Sequence, residues 1–152
     1  MVVCDGRINS DIEYNLKSMG INIIKTQKQK VLYEAVSYHP DILFHHLGGK
    51  EIVIAPNIED KLYYALENEG FNLIIGKNKL ERKYPKDVLY NVARLRDVAI
   101  LNIRHTDEVL LEELDRRKIK LIDVKQGYAK CSVCIVSEDA IITSDIGIHK
   151  KQ

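Results

Sequence analysis

An α/β fold of repeated hairpin–helix–strand (ββαβ) modules is what this sequence predicts, on three observations. First, the chain repeats itself at an offset of 50. Residues 2–24 laid over 52–74 give seven identities: Val3/Val53, Ile8/Ile58, Tyr14/Tyr64, Leu16/Leu66, Gly20/Gly70, Asn22/Asn72 and Ile24/Ile74. Second, a looser copy runs through 101–122, where Leu110, Leu114, Leu121 and Ile122 fall on Leu62, Leu66, Leu73 and Ile74. Third, Ile42-Leu43-Phe44, Val88-Leu89-Tyr90 and Cys134-Ile135-Val136 recur at 46 residues, each beside another apolar run. A duplicated supersecondary unit buries its apolar face against its neighbours, so one domain of about three units is expected over residues 1–152.

The elements follow in order. Val2–Cys4 reads as a short strand ended by Asp5-Gly6. Asn9 or Ser10 caps a helix over 9–19, with Ile12, Leu16 and Met19 on one face at helical spacing. Gly20 stands where a left-handed residue closes a helix, and Ile21–Ile24 is a β-branched strand. The second unit places a strand at Asp41–Leu47, a Gly48-Gly49 turn, a strand at 51–55, an Asn57 cap, a helix over 58–69, a Gly70 stop and a strand at 71–75. The third places strands at Val88–Val92 and Val98–Leu101, a Thr106 cap, a helix over 106–117 and a strand at 119–124. A last hairpin pairs 132–136 with 140–143, and Ile146–Lys150 stops where a fourth helix is due. The chain thus opens and closes on half a unit. Either it is the front of a longer protein or a second subunit, most simply in a homodimer, covers the exposed ends.

Composition narrows the function. With 23 basic against 22 acidic residues and a net charge of +1, the chain has no broad field for nucleic acid or acidic lipid. No run approaches a membrane span, no secretory leader opens the chain, and three cysteines point to reduced thiols in a cytoplasm. No cofactor is expected: Cys4-Asp5-Gly6-Arg7-Ile8-Asn9 has one glycine where a dinucleotide fingerprint needs three, which disfavours the alternative of a doubly wound nucleotide-binding fold. No metal site is expected either, because His45 and His46 are neighbours on one strand and face opposite ways.

The segments His39-Pro40-Asp41-Ile42-Leu43-Phe44-His45, Tyr84-Pro85-Lys86-Asp87-Val88-Leu89-Tyr90-Asn91 and Gln126-Gly127-Tyr128-Ala129-Lys130-Cys131-Ser132, in this order between the modules, resemble an uncharacterised bacterial family of the guanidino-group-modifying enzyme fold, the pentein or β/α-propeller. The resemblance runs across essentially the whole chain. It implies five units around a polar channel, of which this chain carries about three. It also implies that the Gly-Gly-x-Cys-type segment bearing the usual catalytic cysteine lies outside this chain. The expectation is therefore no catalysis by this polypeptide alone, with binding of a small guanidino or amine cation, or an oligomeric scaffold, as alternatives.

Chemistry of that superfamily uses a thiolate, a histidine acid/base and carboxylates that grip a guanidinium. His39, Asp41 and Cys131 are the candidate catalytic groups; Lys130 beside Cys131 offers an ammonium that could lower the thiol pKa, with a plain structural role as the competing reading of Cys131. Turn-shaping is the competing reading of His39-Pro40-Asp41. Asp5, Arg7, Asp41, Asp87, Lys130 and Asp145 are the candidate ligand-binding set. Asp5, Asp41, Asp87 and Asp145 hold equivalent places, so a ring of carboxylates is expected, with turn and cap roles as the alternative. Cys134 and Cys4 read as buried residues.

Overall fold

The computed structural model describes residues 1–151 as mixed α/β, in four small sheets rather than one continuous sheet. That arrangement excludes the doubly wound alternative. Strand β1 (Val2–Cys4) leads through helix α1 (Ser10–Ser18) to β2 (Ile23–Lys25), which pairs with β1 in parallel. After a linker with one 3-10 turn come the short helix α2 (Pro40–Leu43), β3 (Phe44–Gly48), β4 (Glu51–Ile54), helix α3 (Asp60–Asn68) and β5 (Asn72–Ile75). Then follow β6 (Ala93–Leu95), β7 (Val98–Leu101), helix α4 (Glu108–Arg116) and β8 (Lys120–Asp123). The pair β9 (Val133–Ile135) and β10 (Ile141–Thr143) and the short helix α5 (Ile146–His149) complete the described chain. In both three-stranded sheets the middle strand is antiparallel to its predecessor and parallel to the strand after the helix.

The three long helices lie within two residues of their predicted ends, and their stops explain why. After each helix the residue beyond the cap takes a left-handed backbone: Gly20 at φ 72°, Gly70 at φ 81° and, in the third, Lys118 at φ 56°. Each closes the same pair of bonds, as in Gly70 N–H to the Glu67 carbonyl at 2.8 Å and Phe71 N–H to the Leu66 carbonyl at 3.1 Å. Lys118 holds this geometry at the steric cost that glycine avoids.

The starts differ from expectation. Asn9 does cap α1, accepting from Asp11 N–H. Asp107, not Thr106, caps α4, and its buried carboxylate also takes the N–H groups of Lys77 and Asn78. Glu59, not Asn57, precedes α3, because the Asn57 amide is spent on both backbone groups of Leu80, each at 2.9 Å.

Several strands move as well. Pro40 at the first helical position turns 40–43 into α2, so the strand expected from Asp41 starts at Phe44. The hairpin turn falls on Gly49-Lys50, with a register irregularity between His46 and Gly48. Val88–Val92 is not a strand: all five residues are buried in irregular chain, and the hairpin strand starts at Ala93. A segment buried on every side has no period to betray its conformation.

The main core gathers β4 (Ile52, Val53, Ile54), Leu62 and Leu66 of α3, and Leu110 and Leu114 of α4. A smaller core joins Ala93 and Ile100 to Val133 and Ile148. Burying each large side chain contributes about 1.5–3 kcal/mol. Helix α1 buries nothing: Ile12 and Met19, expected on its inner face, are 53% and 72% exposed. The modules are tied across their seams by polar bonds. Gln29 accepts from Glu59 N–H at the start of α3, and Arg117 joins Glu51 of β4 to Glu113 of α4. No helix among the described residues is long and apolar enough to cross a membrane.

Candidate functional site

Four segments, each just before or after a sheet strand, meet at one place. Asp5 ends β1, His39 and Asp41 bracket Pro40 at the start of α2, Asn91 precedes β6, and Cys131 precedes β9. Because α2 is a helical turn, His39 and Asp41 come together across its first residues and not as alternate residues of a strand.

Asp5 is already gripping a guanidinium, that of its own neighbour. Arg7 Nε lies 3.0 Å from Oδ1 and Nη2 2.7 Å from Oδ2, and the guanidinium stacks 4.7 Å from the centre of the Tyr38 ring. Those hydrogen bonds hold the Asp5 carboxyl below its usual range. His39 stands between two carboxylates, Nε2 3.8 Å from Asp5 Oδ2 and Nδ1 4.0 Å from Asp41 Oδ1.

Asp41 takes the next contacts. Its Oδ2 accepts the Cys131 thiol at 2.9 Å and the buried Asn91 amide at 3.2 Å. Asn91 also donates to the Asp41 carbonyl at 3.0 Å and to Cys131 Sγ at 3.3 Å, and accepts from Lys130 N–H at 2.8 Å. The donor atoms of His39, Asp41 and Cys131 all lie within 4.8 Å of one another.

The thiol is not activated. Cys131 is exposed as a residue, yet partial removal of its thiol from water, then the Asp41 charge beside it, push its pKa up to about 12, so the thiol stays protonated at neutral pH. The expectation that Lys130 lowers it is thus overturned. A carboxylate brought in from 90 residues away dominates the sequence neighbour, whose side chain instead lines a cavity of about 480 Å³. Asp41, His45 and Arg94 share that cavity's wall with apolar Val3, Phe44, Ile52, Leu66 and Phe71. His45 is buried with Nε2 unpartnered, and burial pushes its pKa down to about 3. His46 points outward, as the strand period requires.

Asp87 and Asp145 belong to a second set of bonds. Asp87 is buried and accepts the Tyr128 hydroxyl, which in turn meets the Tyr33 hydroxyl at 2.9 Å. Asp145 caps α5 by accepting from Ile148 N–H at 2.9 Å and takes the Gln126 amide at 3.0 Å. The cap reading therefore describes Asp145, and Asp87 is a buried partner of Tyr128, while Asp5 and Asp41 come together with His39 and Cys131. Cys134 is exposed and Cys4 half-buried, so neither is the core residue expected; on β9 it is Val133 that turns inward.

Sequence reasoning gave no role to Asn91, Tyr33, Tyr128 or Gln126. The available signal was position: three of the four lie in the motif segments before a sheet. Loop 126–132 is the common strap, reaching Asp145 through Gln126, Asp87 through Tyr128, Asn91 through Lys130 and Asp41 through Cys131.

A family model described as "Family of unknown function (DUF6873)" matches residues 3–152. No curated protein matches the sequence. Among solved structures, an amidinotransferase of the saxitoxin biosynthetic pathway from Microseira wollei superposes with a TM-score of 0.57 at 17% identity, over 90% of this chain and 41% of that one. Agmatine deiminase of C. jejuni superposes with a TM-score of 0.51 at 14% identity, over 93% of this chain and 48% of its own. The fold is that of the guanidino-group-modifying, or pentein, enzymes, and this chain spans less than half the length of these two.

Proposed function

The chain belongs to the family of unknown function DUF6873, and from the site its fold assembles we propose that it binds a small guanidino or amine cation and does not catalyse by itself. The observation that carries this reading is the place of Asp41. Its carboxylate stands on the wall of the 480 Å³ cavity and beside His39 and Cys131. A carboxylate on the wall of a largely apolar cavity suits a cation on a methylene stem. Lys130 and Arg94 line the same cavity and suit a carboxylate on such a ligand, so arginine fits better than agmatine. Arg7 on Asp5 is the chain's own instance of the same recognition.

Against catalysis stands the hydrogen bonding of the thiol. Nucleophilic cysteine chemistry needs a base that takes the thiol proton and an environment that favours the thiolate. Here the thiol donates to an anion that disfavours it. The solved relatives are named for guanidino chemistry, as an amidinotransferase and an agmatine deiminase.

In a thermal-shift titration, arginine raises the melting temperature, agmatine raises it less, and phosphate compounds leave it unchanged. Asp41→Asn abolishes the rise while circular dichroism stays native. Calorimetry showing no heat with any guanidino or amine compound overturns the reading.

Exposed Ile135, Val136, Ile142 and Ile146 at the last hairpin and α5 favour a second reading, a homodimer that covers this face. Light scattering on the eluted protein decides it, and a stable monomer refutes it. Three free cysteines fit a reducing cytoplasm as the place of work.

A further inference from the structure

We propose that His39, Asp41 and Cys131 bind one zinc ion, with the fourth tetrahedral position open to water or a small ligand. The inference shares Asp41 with the cation-binding reading and adds the thiol and the imidazole, so metal and cation compete for that carboxylate.

Imidazole nitrogen, carboxylate and thiolate are the donors that zinc takes, and three protein ligands with one open position is a recognised zinc arrangement. Zinc bonds of about 2.0–2.3 Å at tetrahedral angles put ligand atoms roughly 3.3–3.8 Å apart. Here Asp41 Oδ2 is 2.9 Å from Cys131 Sγ and Asp41 Oδ1 is 4.0 Å from His39 Nδ1. The two spacings are measured to different oxygens of Asp41 and the three donor atoms lie within 4.8 Å of one another, so side-chain rotation that turns one oxygen toward both partners closes the set. The three come from segments 39–41 and 131, which the Asn91 bonds already hold together.

The surroundings supply what a ligand set needs behind it. Among the described residues the His39 ring makes no hydrogen bond that coordination must break. Its far nitrogen Nε2 faces the Asp5 carboxylate at 3.8 Å, and Arg7 fixes that carboxylate in turn. A carboxylate behind a metal-bound imidazole selects the tautomer and raises ligand basicity. Asn91 donates to Sγ at 3.3 Å and to Asp41 Oδ2 at 3.2 Å, placing N–H groups on both anionic donors.

Charge closes the argument. On binding, the S–H bond breaks, its proton leaves to solvent, a Zn–S bond forms, and Asp41 Oδ2 exchanges its bond from the thiol for the metal. A dication with one thiolate, one carboxylate and a neutral imidazole sums to zero. Zinc thus offsets the charge of Asp41 beside the thiolate. His45 is no rival ligand, since it lies buried on the neighbouring strand, outside this cluster.

The test is titration of the full chain with cobalt(II), which reports a thiolate ligand through a charge-transfer band and tetrahedral geometry through intense visible bands. One equivalent is expected to give both, and zinc to bleach them. Cys131→Ser loses the charge-transfer band, and His39→Ala weakens binding at least ten-fold. Asp5→Asn weakens it by about 10–100-fold. Cys134→Ser, an exposed thiol away from the cluster, leaves the spectrum unchanged. In the unsubstituted chain, zinc is expected to protect Cys131 but not Cys134 from alkylation, a readout free of any folding defect in a variant. A wild-type chain that gives no bands, a band surviving Cys131→Ser, or equal alkylation of the two thiols with and without zinc overturns the proposal. Cys131→Ser keeps the arginine-dependent melting shift, so loss of zinc binding and loss of guanidino binding are read separately.

Discussion

Asn91→Ala tests whether the site is held together as described. The Asn91 side chain is buried, and truncation strips the Lys130 N–H and the Asp41 carbonyl of their partner, along with its bonds to Asp41 Oδ2 and Cys131 Sγ. Leaving a buried polar group unsatisfied costs about 1–3 kcal/mol. Two backbone groups are orphaned, and water reaches the half-buried Lys130 side, so about 3 kcal/mol is the expected loss. For a chain of this size, 1 kcal/mol shifts the melting temperature by about 2–4 °C, which gives a fall of about 6–12 °C. Thermal and urea unfolding followed by circular dichroism measure it. Asn72→Ala, an exposed strand position, is the control and stays within about 0.5 kcal/mol. Alkylation of Cys131 also accelerates in the variant, because the amide holds the thiol against Asp41. Stability within 0.5 kcal/mol of the parent, or an unchanged alkylation rate, refutes the clamp.

Leu114→Ala, at a position with no exposure in α4, costs about 2–5 kcal/mol in urea unfolding, whereas Ile12→Ala on exposed α1 costs less than about 0.5 kcal/mol; equal losses refute the burial asymmetry of the helices. Lys118→Gly relieves a left-handed backbone and stabilises by up to about 1 kcal/mol, so a destabilised variant contradicts that geometry. His45 binds its proton in the folded chain only near pH 3, against an ordinary 6.5. Its contribution is therefore full above pH 6.5 and is lost as pH falls from 6.5 towards 3, with a slope of about one proton. Urea unfolding at several pH values shows that slope in the parent and not in His45→Phe; parallel curves for the two refute it.

The modular fold was legible because it is written locally. Gly20 and Gly70 mark helix ends, Asn9 marks a start, and apolar strands sit between them. What failed was whatever depends on distant chain. Ile12 and Met19 keep helical spacing, yet nothing covers them and α1 buries no residue. Val88–Val92 carries the residues of a strand, but is buried all round in irregular chain. Asp41 and Cys131 were each legible as candidates, whereas their bond was not, since 90 residues separate them. Lys130 was the visible neighbour and Asp41 the effective one. Asn91 passed unnoticed because a buried amide has no period and no motif, only partners.

Those distances also set an order of events for the chain as it folds. Every strand pairing joins elements close in sequence, so each sheet can form by closing a short loop. The contact between positions 41 and 131 closes a far longer one, and entropy charges more for it unless intervening sheets have shortened the path. Secondary structure should then return early in refolding, with the bond from the Cys131 thiol to Asp41 last. Pulsed alkylation during refolding would time that step through the loss of thiol reactivity, and a thiol quenched as fast as the helices form would show the modules docking from the outset.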